Sequence, residues 1–170
     1  MESNEALNIA RNNPHLAKRT GWLRPQPEVK QDEDEESCLA FGFLRGVNER
    51  SLAVELRFRN GDREWFPYSL LGSWRFNPSA GLLLKFSGDV VTLVLIRGSN
   101  LDAPVNQGAM NLVDRGLQRH RVTWVREMED DELREVGEGG PTIDRIDVAD
   151  FESQEQLTAW LTKNAAEFVR

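Results

Sequence analysis

The stretch 82–101, LLLKFSGDVVTLVLIRGSNL, constrains the fold more than any other part of the chain. It consists of two apolar runs joined at Gly88-Asp89, a pair of residues that favours a turn. In the second run, residues 90–96, both alternating faces are apolar except at Thr92. Such a strand is typical of the centre of a sheet. We therefore expect it to lie between the interior of the domain on one face and a helix or a neighbouring subunit on the other.

Weaker patterns on both sides of this stretch predict further strands. Apolar residues occupy every second position from 52 to 58, which is the period of a half-buried strand. Asn60-Gly61 follows at once and predicts a type I′ hairpin turn, because both residues tolerate positive φ angles. The return strand, 63–66, ends at Pro67, which has no N–H to donate. Further strands are predicted at 38–45, 73–76 and 121–126, with a late strand that contains Ile143, Ile146 and Val148.

Two segments have the spacing of amphipathic helices. The first, 105–119, has its apolar residues on one stripe. These residues are Ala109, Leu112, Val113, Gly116 and Leu117. In the second, Ser153 and Gln156 fit a capping box, and Leu157, Trp160 and Leu161 form the apolar stripe. A helix this short is marginal alone, so it must dock on the domain, on another subunit or on a partner.

Composition narrows the class of protein. The 170 residues carry a net charge of −7 and include one cysteine and two histidines. Cys38 cannot form an intrachain disulfide, which favours a reducing compartment, the cytoplasm. No apolar run approaches the ~18 residues that span a bilayer, and the N-terminus lacks the pattern of a signal peptide. One cysteine and two distant histidines argue against a zinc site, so we expect no metal and no membrane partner.

The sequence contains no catalytic constellation. It has no G-x-S-x-G elbow, phosphate-binding loop, H-E-x-x-H motif or dinucleotide fingerprint. His120 is the one plausible base for a serine nucleophile, but its position between Arg119 and Arg121 is better explained by a helix end. We therefore predict no catalytic residues, no cofactor and no enzymatic activity.

Charge is distributed unevenly along the chain. Residues 39–126 contain 12 basic and 7 acidic side chains, whereas residues 127–170 contain 4 basic and 13 acidic ones. A basic core suits a polyanion, although basic side chains that merely solvate a β surface explain the same excess. Arg57, Arg59 and Lys85 lie on or near predicted strands, interleaved with Trp65, Tyr68 and Trp74. Cations with stacking aromatics are what a single-stranded nucleic-acid surface needs, but in a small β domain these aromatics also serve as packing.

The end of the central strand, residues 95–101 (LIRGSNL), resembles the second signature of Sm-like small β-barrels. In that family the Arg and Gly help to bind RNA bases between subunits of a ring, which implies such a role for Arg97 and Gly98. The chain departs from the family because Asn77-Pro78-Ser79 does not match the first signature, and because the helix follows the strands. The order of motifs over about residues 52–127 is also similar to a group of small uncharacterised bacterial proteins, which implies no activity.

The predicted fold is mainly β (α+β). We expect a small, strongly bent antiparallel sheet or an open SH3-like or Sm-like barrel, with one helix packed after the sixth strand and a C-terminal strand and helix. The chain divides into a disordered acidic N-terminal tail (1–37), a β domain (38–127), an acidic flexible linker (128–141) and a C-terminal strand–helix appendage (142–170).

Two functions are carried forward, with an enzyme of unassigned residues as a third. The first is a non-enzymatic protein-interaction or assembly module, with an unknown partner or by self-association, through Leu157, Trp160 and Leu161. The alternative is an Sm-like RNA or single-stranded nucleic-acid binder with acidic autoinhibitory tails. Its candidate residues are Arg57, Arg59, Lys85, Arg97, Gly98 and Asn100.

Overall fold

The computed structural model describes residues 34–169, so the first 33 residues of the acidic tail expected over residues 1–37 lie outside the described residues. Between residues 34 and 169 the chain forms nine strands and two α-helices of more than one turn. The strands are β1 (Glu35–Ser37), β2 (Phe41–Leu44), β3 (Ala53–Arg57), β4 (Arg63–Pro67), β5 (Leu71–Asn77), β6 (Gly81–Ser87), β7 (Val91–Ser99), β8 (Val122–Arg126) and β9 (Thr142–Phe151). The helices are α1 (Asp130–Val136) and α2 (Gln154–Asn164).

The strands form two sheets. Sheet 1 has the order β1-β2-β8-β3-β4 and is antiparallel except where β3 runs parallel to β8. Sheet 2 has the order β5-β6-β7-β9 and is antiparallel throughout. The prediction of a mainly β, α+β fold is confirmed, but the strands divide into two sheets and form no closed barrel within the described part of the chain.

The central strand β7 is buried on both faces, as its sequence predicts. On one face Val94 and Ile96 are fully buried in a core shared with Val54 and Leu56 of sheet 1. On the other face Leu93 and Leu95 pack in a second core. The residues that α2 and the C-terminal segment contribute to this second core are Leu157, Leu161, Ala165 and Phe168. The expected cover is therefore a helix of the same chain.

The C-terminal region is part of the fold rather than an appendage. β9 pairs with β7 along its length, from Phe151 opposite Val91 to Thr142 opposite Ser99. The segment 128–141, expected to be a flexible linker, contains α1, in which Glu129 and Glu132 make a reciprocal capping box. The density of acidic residues suggested a solvated linker. At the N-terminus of a helix, however, acidic residues interact favourably with the macrodipole, so the same residues stabilise α1.

A strand is also present before the predicted boundary at residue 38. Glu35–Ser37 form β1, although like charges at this density were expected to keep the segment solvated. The Glu35 carboxylate accepts hydrogen bonds from the Thr123 hydroxyl and the Trp124 indole N–H, each at 2.8 Å. Partners that are distant in sequence therefore hold this acidic strand in place.

The helix expected at 105–119 is a single π-helical turn, Leu112–Leu117. Asn106 and Gln107 have φ angles of 54° and 58°, which no right-handed helix accommodates. The turn begins where the Asn111 side chain accepts hydrogen bonds from the N–H groups of Asp114 and Arg115, each at 2.9 Å. The predicted stripe is nevertheless buried from Leu112 onward, so the periodicity identified the packed face but not the length of the element.

We predict that α2 unfolds together with the two sheets. Leu161 is 8% exposed between α2 and sheet 2, so Leu161→Ala should lower the free energy of unfolding by about 2–4 kcal/mol through lost burial and a residual cavity. Thr162→Ala, on the exposed side of the same turn, is the control and should change it by less than about 0.5 kcal/mol. Urea unfolding measures both, and equal stabilities of the two variants would contradict this packing.

A second prediction concerns Tyr68, the one tyrosine of the chain. Its hydroxyl donates to the Val122 carbonyl at 2.8 Å and its ring stacks on His120. Burial raises the pKa of Tyr68 well above its usual range. Because the folded-state pKa is the higher one, this stabilisation is present below the unfolded pKa of about 10 and declines as pH rises above it. The phenolate absorbance should therefore appear together with unfolding, and phenol titration near pH 10 with the circular dichroism unchanged would contradict the burial.

Candidate functional site

The residues predicted to bind nucleic acid do not lie on one surface. Arg57 and Arg59 lie at the end of β3 in sheet 1, whereas Lys85 and Arg97 lie on the face of sheet 2 that α2 covers. Asn100 lies in the loop that follows β7. The structure therefore gathers these residues into no common binding surface.

Arg97 joins three elements of the fold. Its Nε lies 3.1 Å from Oδ2 of Asp147 on β9, and its Nη2 donates to the Asn164 carbonyl at 2.5 Å. That carbonyl is at the C-terminal end of α2, where unpaired carbonyls carry partial negative charge and favour a cation. Asp147 also pairs with Arg145 at 2.6 Å. Packing and charge pairing thus account for Arg97.

Gly98 and Asn100 also make contacts that shape the chain. A Cβ at Gly98 would lie 1.8 Å from the Thr142 carbonyl oxygen, at a point where the register between β7 and β9 shifts. The Asn100 side chain donates to the Glu138 carbonyl at 2.8 Å. The backbone of Asn100 has a φ of 54°. The signature-like run therefore has a structural explanation in the close approach of β7, β9 and the loop before β9.

Arg57 belongs to a charged and aromatic cluster on the outer face of sheet 1. The Glu55 carboxylate, 8% exposed, accepts from Nη2 of Arg57 at 2.8 Å and lies 3.2 Å from Nη1 of Arg63. Oε1 of Glu55 and Nε of Arg57 are buried without a hydrogen bond, so the contact with Arg63 is ionic but poorly aligned. The Arg57 guanidinium lies 4.4 Å from the centre of the Trp124 ring, a cation–π geometry. Trp65 lies opposite Glu55 and is 61% exposed.

Arg59 points away from this cluster toward the acidic segment. Its guanidinium donates to the Met128 carbonyl and lies 3.5 Å from the Asp130 carboxylate. The Arg59 N–H donates to the Glu127 carboxylate at 2.7 Å. Arg59 thus ties the β3–β4 hairpin to the start of α1, and its charge is already paired.

The outer edge of β4 has no partner strand within residues 34–169. The Phe58 N–H donates to the Asp62 carbonyl, and the Tyr68 N–H donates to the Leu52 carbonyl. These two bonds establish which opposite residues of the β3–β4 hairpin are joined by backbone hydrogen bonds. Because bonded and non-bonded pairs alternate along an antiparallel ladder, Glu64 and Phe66 point their backbone groups at β3. Arg63, Trp65 and Pro67 point theirs outward. The edge therefore presents two N–H donors and three carbonyl acceptors to solvent.

A groove of about 830 Å³, including solvent at its mouth, runs beside this edge between the two sheets. Its apolar lining comes from Trp65, Phe66, Val90 and Val148, and its charged lining from Glu64 and Asp150. No basic side chain lines it among the described residues. An edge strand beside an apolar, acidic groove can take an added strand, since the backbone supplies hydrogen bonds and the groove receives alternate side chains.

The residues predicted to bind a partner through α2 are covered by their own chain. Leu157 and Leu161 are 6% and 8% exposed against sheet 2. Trp160 is half-buried, and its ring meets Phe151 edge-on at 5.8 Å between centroids. Their apolar surface is used within the fold, and of the three only Trp160 retains appreciable exposure.

Two further findings concern the nature of the site. In the part of the chain from 34 to 169, no helix is long and apolar enough to cross a membrane. Among the same residues, no group of three or more His, Cys, Asp or Glu side chains is placed to hold a metal ion.

The sequence predicts roles for Trp65 and Arg57 but not that Trp65 lies opposite Glu55, because the hairpin turn is not the predicted type. Gly61 has a φ of 95°, while Asn60 does not have a positive φ, so the turn is a type I turn followed by a glycine bulge. A two-residue I′ loop would place Glu55 opposite Phe66 instead of Trp65. The one signal of this cluster in the sequence was Glu55, an acidic residue at an outward-facing position of the alternating strand β3.

We predict that Gly98 is required for folding rather than for binding. Gly98→Ala should lower the free energy of unfolding by about 2–3 kcal/mol, because the added Cβ collides with backbone that cannot give way. Gly139→Ala is the matched control, since nothing lies within 4 Å of its added Cβ, and it should be nearly neutral. Chemical denaturation compares the two, and an unchanged stability for Gly98→Ala would show that β7 and β9 are not in this contact.

Comparisons of the chain with protein-family models, curated proteins and solved structures find no match.

Proposed function

We propose that this chain is a non-enzymatic protein-interaction module that binds an extended segment of a partner protein at the outer edge of β4. The observation that carries the proposal is the outward row of backbone groups at Arg63, Trp65 and Pro67, beside a groove with apolar walls. Strand addition uses such an edge for affinity and such a groove for specificity.

The edge carries part of the protection that sheet edges usually have, namely the bulge at Gly61, Pro67 and the groove-facing Glu64, but a stretch of it stays open. Natural edges are shielded by a covering element, a bulge or charged side chains that point inward. On β4, Pro67 removes one donor, but the donors at Arg63 and Trp65 remain, and Trp65 exposes 61% of its surface. A large exposed aromatic beside unpaired backbone is typical of an interaction site.

The charge of the groove indicates the chemistry of the partner. Glu64 and Asp150 line it, and Asp150 is held by the Thr92 hydroxyl at 2.6 Å. In an added strand, every second side chain points into the groove. We infer that the residues of the partner segment that point into the groove include both apolar side chains and Lys or Arg.

Nucleic-acid binding is a second candidate, favoured by one observation. Trp65, Trp124 and the stacked Arg57 share the outer face of sheet 1, as a base-stacking platform would require. The charges on that face are largely balanced, however, because Glu55 pairs with both Arg57 and Arg63. Arg97 is likewise paired with Asp147, which leaves less free positive charge for a phosphate backbone.

A peptide-display selection on the nuclease-treated full chain tests the proposal. In the enriched peptides, the set of every second residue should contain both apolar and basic side chains, and the affinity of these peptides for two variants should then be measured by isothermal titration calorimetry. Trp65→Val removes the ring but keeps the outward N–H. Trp65→Pro removes both, while the ladder with β3 stays intact because that N–H faces solvent. Relative to Trp65→Val, Trp65→Pro should bind about five- to tenfold more weakly, as expected for one lost backbone hydrogen bond.

Three results would contradict the proposal. One is equal affinity of the Trp65→Val and Trp65→Pro variants for the selected peptides, with both variants folded by circular dichroism. Another is retention on RNA that disappears after nuclease treatment, with no enriched peptide, which would favour the nucleic-acid candidate. The third is a homodimer, seen by light scattering, that Trp65→Pro dissociates, because the occupant of the edge would then be a second copy of the chain.

A further inference from the structure

A second cleft lies on the opposite side of sheet 2, away from the β4 groove. It has a volume of about 640 Å³, including solvent at its mouth, and opens between β5, β6, β7 and the first two turns of α2. Its apolar walls are Leu83, Leu93, Leu157, Leu161 and Phe168. These side chains belong to the second core, and the partly exposed Trp74 and Val169 also line the cleft, so the cleft is a recess in that core that opens to solvent.

The residues between 34 and 169 bring only positive charge to this cleft. Of these, Arg75 and Lys85 line it and no acidic residue does, although the chain as a whole carries a net charge of −7. Nη1 of Arg75 donates to the Phe168 carbonyl at 2.7 Å, which fixes the guanidinium at the cleft. Lys85 is half-buried and pairs with no carboxylate or other acceptor within residues 34–169.

The Lys85 ammonium is therefore available to pair with an anion that enters the cleft. We propose that the cleft binds a small organic carboxylate with an apolar body of the size of a phenyl ring. The apolar body would displace water from the leucine and phenylalanine walls, which is the main source of affinity in such sites. The carboxylate would pair with Lys85, a charge-assisted contact, and the Ser73 hydroxyl at the cleft can donate to it. This site is independent of the β4 edge.

Phenylacetate and its neutral isostere phenylacetamide are the probes that separate charge from shape. Titration of the full chain, followed by the leucine methyl resonances, should give a dissociation constant on the order of 1 mM for phenylacetate. The shifted methyl groups should be those of Leu83, Leu93, Leu157 and Leu161. Phenylacetamide should bind about three- to tenfold more weakly, since it lacks the ion pair.

Lys85→Gln should lower the affinity for phenylacetate to that for phenylacetamide, whereas Lys163→Gln should leave it unchanged. Lys163 is an exposed lysine of α2 that does not line the cleft, so it controls for net charge. The proposal is overturned if phenylacetate shifts no methyl group of the cleft, or if it binds no better than phenylacetamide. The comparison of the two probes uses the unmodified protein, so it decides the matter even if a variant fails to fold.

Discussion

The burial of β7 on both faces is the constraint on which the rest of the structure depends. A strand that is apolar on both of its faces cannot lie in the outer layer of a sandwich, because one face would then expose Leu93 and Leu95 to water. Sheet 1 covers one face and α2 the other. Three layers follow from this one strand, and the C-terminal helix becomes part of the core instead of a free element.

The arginines at sheet 2 serve this layering. Arg97 joins β7 and β9 to the last carbonyl of α2, and Arg75 holds the carbonyl of Phe168. Both contacts fasten the C-terminal segment by charge-assisted hydrogen bonds, which are stronger than neutral ones. The basic residue Arg97 near the end of β7 therefore serves here to hold the C-terminal end of α2. For this reason the outer edge of β4, rather than the I-R-G run, is the better candidate for recognition.

Periodicity was sufficient to predict the elements whose pattern reflects burial, but not those that depend on distant partners. The alternation from 52 to 58 and the apolar runs of 82–101 led correctly to β3, β6 and β7, and Ser153 correctly to the start of α2, where its oxygen accepts from the Gln156 N–H. β1 could not be predicted because Glu35 is held by Thr123 and Trp124, 88 and 89 positions away. The candidate site was missed because the glycine bulge at Gly61 sets which residue of β4 faces Glu55.

Residues 34–169 cover their own central strand and leave the edge of β4 without a partner strand, and amide hydrogen exchange tests both halves of this central claim in one measurement. In the free protein the amides of Leu93 and Leu95 should exchange at the rate of global unfolding, with those of α2 protected in the same cooperative unit. Along β4, the amides of Glu64 and Phe66 should be protected and those of Arg63 and Trp65 should exchange fast. Protection of Arg63 and Trp65 in the free monomer, or exchange of α2 far below the global unfolding free energy, would contradict the account.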